Sequence, residues 1–293
     1  MPNAVAPDDV TLYYEETGEG RAIIFVHEFA GDMRAWEPQM RHFGRRYRCV
    51  SYNARGYPPS DVPPAGQYSQ EIARDDIIAV MDAAGIEKAH IVGLSMGGFA
   101  ALHFGITHGN RAHSITVAGC GYGAEPEKRE QFREETAATA KLIEEDGAQA
   151  FAEAYSMGPT RVQFLNKNPR GFQEFKEQLA EHSTDGAART MLGVQRERPS
   201  LFELQEQMAK ITTPTLVLTG DEDWPCLLPG IMMKQAIPTA ALAVMPNCGH
   251  TINIEDPQAF NAIVDRFLAE VDAGTWPTRD PRAMASSILG LKN

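Results

Sequence analysis

No stretch of this chain reaches the ~20 consecutive apolar residues that a membrane-crossing helix needs, so no helical membrane span is expected. Cysteine is sparse. Cys49, Cys120, Cys226 and Cys248 stand far apart with no CxxC pair, which points to neither a disulfide framework nor a thiolate metal site. The opening residues, Met1-Pro2-Asn3-Ala4-Val5-Ala6-Pro7-Asp8, carry neither the basic start nor the apolar run of a secretory leader. Basic residues are in deficit, 27 Lys and Arg against 39 Asp and Glu. The resulting charge of −12 leaves no electrostatic footprint for nucleic acid. There is no internal repeat and no low-complexity segment. These absences predict a cytoplasmic protein that binds neither nucleic acid nor membrane.

With 293 residues and 43% apolar content, the chain can bury a sizeable core. Residues 10–16 alternate apolar and polar side chains and run into Gly18-Glu19-Gly20, which predicts an edge hairpin with 22–26 as its return strand. That second run, Ala22-Ile23-Ile24-Phe25-Val26, is apolar throughout, as in a strand covered on both faces. Further strands are expected at 48–52, near Ile91 and Ile115, at 214–220 and at 241–245, with helices at 33–43, 72–84 and 257–271. This β-α alternation predicts α/β architecture: a mostly parallel, doubly wound sheet with ligands at the carboxyl ends of its strands. From 122 to 207 the alternation gives way to helical patterns at 128–145, 148–155, 172–181 and 184–194, broken at Gly147, Gly158-Pro159 and Pro169-Arg170-Gly171. The expected division is a core of 1–121 and 208–273, an insertion of 122–207 and a tail of 274–293. The tail either packs on the core or contributes to a homodimer.

The segment Gly93-Leu94-Ser95-Met96-Gly97-Gly98 lies between the apolar run at 89–92 and a helical pattern at 99–104. Strand, Gly-x-Ser-x-Gly and helix in that order describe a turn tight enough to hold the serine in strained backbone angles with its hydroxyl exposed. A serine hydroxyl is a poor nucleophile at neutral pH and needs a base, and that base needs an orienting acid. Two downstream strands end in suitable loops. One ends in Gly220-Asp221-Glu222-Asp223 and the other in Pro246-Asn247-Cys248-Gly249-His250. Candidate acid and base therefore fall on the sheet edge that carries Ser95.

On these residues the chain resembles the α/β-hydrolase superfamily, serine hydrolases with a helical cap, over nearly all its length. The family's Gly-x-x-Asp pattern selects Asp223 over Asp221 and Glu222. Its Gly-His pattern, with Glu and Pro following, fits Gly249-His250, Glu255 and Pro257. The resemblance implies the α/β-hydrolase fold, a Ser95–Asp223–His250 triad, no cofactor and no metal. The insertion becomes a cap over the site, with Phe151, Tyr155, Met157, Phe164 and Met191 as candidate pocket residues. Segments 33–40 and 61–69 look similar to the 3-oxoadipate enol-lactonase branch.

Acyl transfer also calls for two N–H groups aimed at the oxyanion. By the family's geometry these are the amides of Met96 and Phe29. The preceding loop reads His27-Glu28-Phe29-Ala30-Gly31, with Glu28 where the family usually has glycine. Either its carboxylate lines the pocket and meets a polar or cationic substrate group, or it points to solvent while the main chain serves as donor. His27 reads as a structural residue of that loop. Asn53-Ala54-Arg55-Gly56 echoes a structural loop of the family, and His103, His108 and His113 read as surface residues. The expected reaction is hydrolysis of a small-molecule carboxylic ester or lactone through an acyl-enzyme. Carbon–carbon bond hydrolases of aromatic degradation carry the same triad, and a ligand receptor that keeps the triad without turnover is the alternative from another class.

Overall fold

Eight strands form one sheet: β1 (Asn3–Val5), β2 (Thr11–Thr17), β3 (Ala22–Val26), β4 (Arg48–Tyr52), β5 (Ala89–Leu94), β6 (Ala112–Ala118), β7 (Thr215–Gly220) and β8 (Ala240–Met245). This is a computed structural model, and it describes residues 2–284. The strand order is β1-β2-β4-β3-β5-β6-β7-β8. The β1–β2 and β2–β4 pairs are antiparallel, and every pairing from β4 to β8 is parallel.

The expected hairpin does not form. β2 pairs with β4, not with β3. β3 is buried at every residue and takes β4 and β5 as parallel neighbours, so it has no free edge to offer β2. The Gly18 turn packs instead on the segment leading into β4. Its φ is +77°, and a Cβ there would come 2.2 Å from the Tyr47 carbonyl oxygen.

Helices cover both faces. α1 (Glu37–Phe43) lies on one face, α2 (Gln70–Ala83) and α3 (Met96–Thr107) on the other. The Ser69 side chain caps α2 by accepting from Ile72 N–H, and Gly85 ends it at φ +66°. The insertion between β6 and β7 is helical, as expected: α4 (Arg129–Ser156), α5 (Val162–Lys167), α6 (Pro169–Ala180), α7 (Thr184–Thr190) and α8 (Gln205–Met208). The predicted break at Gly147 is a non-helical residue, φ 82° and ψ 174°, inside α4. α5 was not anticipated, nor was α9 (Trp224–Ala236), which follows Asp223 and joins the α2–α3 face. α10 (Ile252–Glu255) and α11 (Pro257–Asp272) follow β8, with α11 packing beside α1.

One apolar cluster places the insertion relative to the sheet edge. Phe151, Phe164, Phe175 and Met191 of the insertion pack with Phe29 and Met96 from the loops after β3 and β5. The insertion therefore closes over the carboxyl ends of these two strands. In the tail, Trp276 packs edge-to-face with Phe267 at 4.6 Å between ring centroids and donates from Nε1 to Thr239 O at 2.8 Å. That part of the tail packs on the core, and residues 285–293 lie outside the described residues.

Candidate active site

Ser95 sits between β5 and α3 with φ 53° and ψ −115°. A side chain in such angles costs of order 1–3 kcal/mol, so its surroundings must hold it there. They do so by close packing. Ser95 N–H donates to Ala118 O at 2.8 Å, and Ser95 O accepts from Phe99 N–H at 2.9 Å. A Cβ on Gly93 would stand 2.0 Å from Gly97 O, and one on Gly97 would stand 2.0 Å from Val26 O. Both glycines of the motif are required because main chain fills the space a side chain would take.

His250 and Asp223 meet across the ends of β7 and β8. The His250 Nδ1 to Asp223 Oδ2 distance is 2.7 Å, and both side chains are buried. The carboxylate can only accept, so Nδ1 carries the proton and Nε2 keeps a free lone pair. Burial disfavours ionisation of Asp223, but the charge of His250 and its hydrogen bond outweigh this and hold the carboxyl below its usual pKa. The imidazole packs against the end of β6, the strand whose last carbonyl binds the Ser95 amide. A Cβ on Gly119 would lie 3.3 Å from His250 Cε1, and Gly119 directly follows the Ala118 that binds the Ser95 amide.

Asp221, the other candidate acid, has a different task. Its Oδ1 accepts from Cys248 N–H at 3.1 Å and fixes the histidine loop. Glu255 does the same one residue on, accepting from Gly249 N–H at 2.9 Å while Lys167 Nζ sits at 3.1 Å. The Glu that follows Gly-His thus shapes the loop.

His27 is a loop residue, as read from sequence. Its Nε2 accepts from Ala54 N–H at 3.0 Å, so Nδ1 must donate to Glu28 O, 2.7 Å away. Burial drives its pKa down to about 4, so the ring is neutral at pH 7. Phe29, next but one, has its carbonyl bound by the Tyr57 hydroxyl at 2.8 Å. Among the described residues, neither Phe29 N–H nor Met96 N–H has a hydrogen-bond acceptor. Met96 opens α3, where the first N–H groups have no partner within the helix and the dipole favours negative charge.

Glu28 does not point to solvent. It is 2% exposed, and its oxygens Oε1 and Oε2 accept from Arg161 Nη1 and Nη2 at 3.0 and 2.6 Å. Replacing glycine there brings no left-handed strain, since Asp9, Ser95 and Asn247 alone among the described non-glycine residues have positive φ. Oε2 also lies 3.9 Å from His250 Nε2. Arg161 comes from the insertion, in the short turn Pro159–Arg161, and its guanidinium sits 5.7 Å from the Tyr155 ring and 5.1 Å from that of Phe175. The preceding residue joins the histidine loop directly, with Thr160 O accepting from His250 N–H at 3.0 Å. Sequence reading missed Arg161. Its local text, Gly158-Pro159-Thr160-Arg161, is that of a surface turn, and its partner lies 133 positions earlier.

Of the remaining pocket candidates, Tyr155 stands over this ion pair, 6.1 Å from the Phe29 ring. Met191 is buried in the same cluster. Met157 is a correction. It caps the end of α4 and is 60% exposed, so it lines no enclosed pocket. Arg55 is a structural residue, tied to Asp76 and Asp8. His103 is buried, 7% exposed, because its helix packs against α2 and the sheet rather than facing solvent.

A void of about 20 Å³ lies behind Met96, between Arg55, Tyr68 and Asp76, and Ser95 and His250 do not line it. A cleft of about 1230 Å³ opens nearby, between α6 and the segment from β3 to α1. Its wall includes Tyr57 and Phe175, which touch Phe29 and Arg161. The cleft is acidic, with Glu15, Asp32, Glu37, Glu174 and Glu181 against Arg34 and Arg41. Asp223, Cys226 and His250 are the one group among the described residues close enough to share a metal ion, their ligand atoms lying within 4.8 Å of one another. Two of the three are already joined by the Nδ1–Oδ2 hydrogen bond. Burial and the neighbouring Asp223 push the Cys226 thiol well above its usual pKa, so it is protonated at pH 7.

The fold agrees with comparisons to known proteins. The chain is 29% identical over 263 residues to 3-oxoadipate enol-lactonase 1 of Acinetobacter baylyi, covering 85% of this chain and 89% of that one. It is 26% identical to 2-hydroxy-6-oxo-6-phenylhexa-2,4-dienoate hydrolase of Comamonas testosteroni, over 89% of this chain and 92% of that one. Among solved structures, a thermophilic esterase from Thermogutta terrifontis superposes with a TM-score of 0.81 at 25% identity, covering 92% and 98% of the two chains. Residues 21–257 match the family described as alpha/beta hydrolase fold, and the chain belongs to that family.

Proposed function

We propose that the protein is a serine hydrolase of carboxylic esters or lactones, with Ser95 as nucleophile, His250 as base and Asp223 as its orienting acid. The observation that carries this reading is the buried Asp223–His250 hydrogen bond of 2.7 Å, with the imidazole packed on Gly119, the residue after the Ala118 whose carbonyl binds the amide of the strained Ser95. Nε2 takes the Ser95 proton as Oγ adds to the carbonyl carbon. The tetrahedral oxyanion is met by the amides of Met96 and Phe29. Its collapse expels the alcohol, which leaves with the proton held on His250, and Ser95 remains acylated. Water then gives a proton to Nε2 and adds to the acyl carbon. The acid departs as the proton returns to Ser95.

The ion pair on Glu28 and the turn bearing Thr160 roof this site from the insertion, with Tyr155 and Met191 as further pocket residues. A fluorophosphonate probe should label Ser95, and p-nitrophenyl butyrate should be turned over by the wild type and not by Ser95→Ala. An unlabelled Ser95, or hydrolysis that survives Ser95→Ala, refutes the reading. Turnover of the ester also separates hydrolysis from a receptor role.

A further inference from the structure

We propose that the Glu28–Arg161 pair makes the site selective for uncharged acyl groups, turning away substrates that carry a carboxylate. The inference rests on the hydrolase reading above. A guanidinium near a reacting carbonyl is the natural partner of a substrate carboxylate, because its planar fork binds two oxygens at once. In this chain the Nη1–Nη2 edge of that fork is already filled from within. Both of its Nη atoms donate to Glu28, at 3.0 and 2.6 Å. The two side chains are each 2% exposed, so water and salt screen them little.

A carboxylate brought to this point meets the negative charge of Glu28 before it meets an open donor. Seating it on Arg161 would leave Glu28, 2% exposed, as an unpaired charge in a dry place. Glu28 cannot be bypassed either. Its Oε2 lies 3.9 Å from His250 Nε2, beside the path of any acyl group presented to Ser95. The neighbouring cleft works in the same direction, with five carboxylates facing two guanidinium groups. A cationic group gains no partner in the site, since both Glu28 oxygens are held by Arg161. The pair therefore favours an acyl group with no charge, and Glu28 in place of glycine is what neutralises the arginine.

The test compares two esters of similar length, p-nitrophenyl pentanoate and the p-nitrophenyl monoester of succinate, by their kcat/KM. The wild type should prefer the neutral ester by more than about tenfold. Glu28→Gln keeps the shape and frees the Arg161 charge, and it should shift the ratio toward the succinyl ester by at least about tenfold. Glutarate should become a competitive inhibitor of that variant. In Glu28→Gln/Arg161→Gln the ratio should return toward the neutral ester. A wild type that cleaves both esters with similar efficiency overturns the proposal, as does a ratio that Glu28→Gln leaves unchanged. If Glu28→Gln fails to fold, the wild-type ratio still decides. Failure of the underlying hydrolase reading looks different: neither ester is cleaved and the fluorophosphonate leaves Ser95 unlabelled, and the selectivity then falls with it.

Discussion

Asp223→Asn changes few atoms and removes one charge at the centre of the proposed machinery. The carboxylate is 0% exposed and lies 2.7 Å from His250 Nδ1. An amide in its place has two ways to sit. With its NH2 toward Nδ1, the ring must carry its proton on Nε2, and the Ser95 proton has no acceptor. With its carbonyl toward Nδ1, the tautomer survives but the imidazolium formed during reaction loses its counter-charge. At an effective dielectric of about 20, a unit charge about 4 Å away is worth about 4 kcal/mol. At 1.36 kcal/mol per decade, kcat should fall by about three orders of magnitude. The fold should persist, since burying a neutral amide is easier than burying a carboxylate. The wild type should also lose the stabilisation tied to ionised Asp223 as pH falls through its depressed folded pKa, and Asn should remove that acid limb. The assay is p-nitrophenyl butyrate turnover per active site, with circular dichroism to check folding. Asp221→Asn serves as the control. It weakens the bond to Cys248 N–H and should cost about 1 kcal/mol of stability while most of kcat remains. A folded Asp223→Asn enzyme within about tenfold of wild type refutes the electrostatic reasoning, and an Asp221→Asn enzyme that loses as much kcat refutes the choice of acid.

Gly97→Ala should abolish soluble expression or cost more than about 3 kcal/mol, because its Cβ would meet the Val26 carbonyl at 2.0 Å and neither main-chain segment can yield; an unchanged urea midpoint contradicts this. His27 and His103 are buried with pKa values driven down to about 4. Between about pH 6.5 and 4 the unfolded chain takes up protons at these positions and the folded chain does not, so stability should fall across that window and level off below it. Each contributes of order 3 kcal/mol to the drop, and His103→Gln should flatten the curve of urea-derived stability against pH. Arg55→Met leaves the buried Asp76 without its cation and should cost about 3–5 kcal/mol in the same urea assay, with part of that recovered in Arg55→Met/Asp76→Asn.

What the sequence reveals about this molecule follows the range of the forces involved. The elbow at Ser95 is legible because its glycines, its flanking strand and its helix are neighbours in the chain. Asp223 and His250 are legible as loop residues after apolar runs, and the family pattern around each sets the choice between neighbours. Partnership between distant segments is another matter. The Gly18–Gly20 turn carries the residues of a hairpin, yet β2 lies against β4, because β3 is enclosed by parallel strands on both sides. The same limit hides Arg161. A glutamate in the loop after β3 can be satisfied by solvent or by a buried cation, and those outcomes differ only in whether the loop is covered. Coverage comes from the apolar faces of α4 and α6, more than a hundred residues away, closing on Phe29 and Met96. Once it exists, a buried carboxylate demands a counter-charge. Of the cations near the site, Arg161 can supply one because Gly158 and Pro159 turn the chain inward and Thr160 anchors that turn to His250. Glu28 thus states a requirement in the sequence that only the folded insertion meets, and the turn that meets it also binds His250 through Thr160.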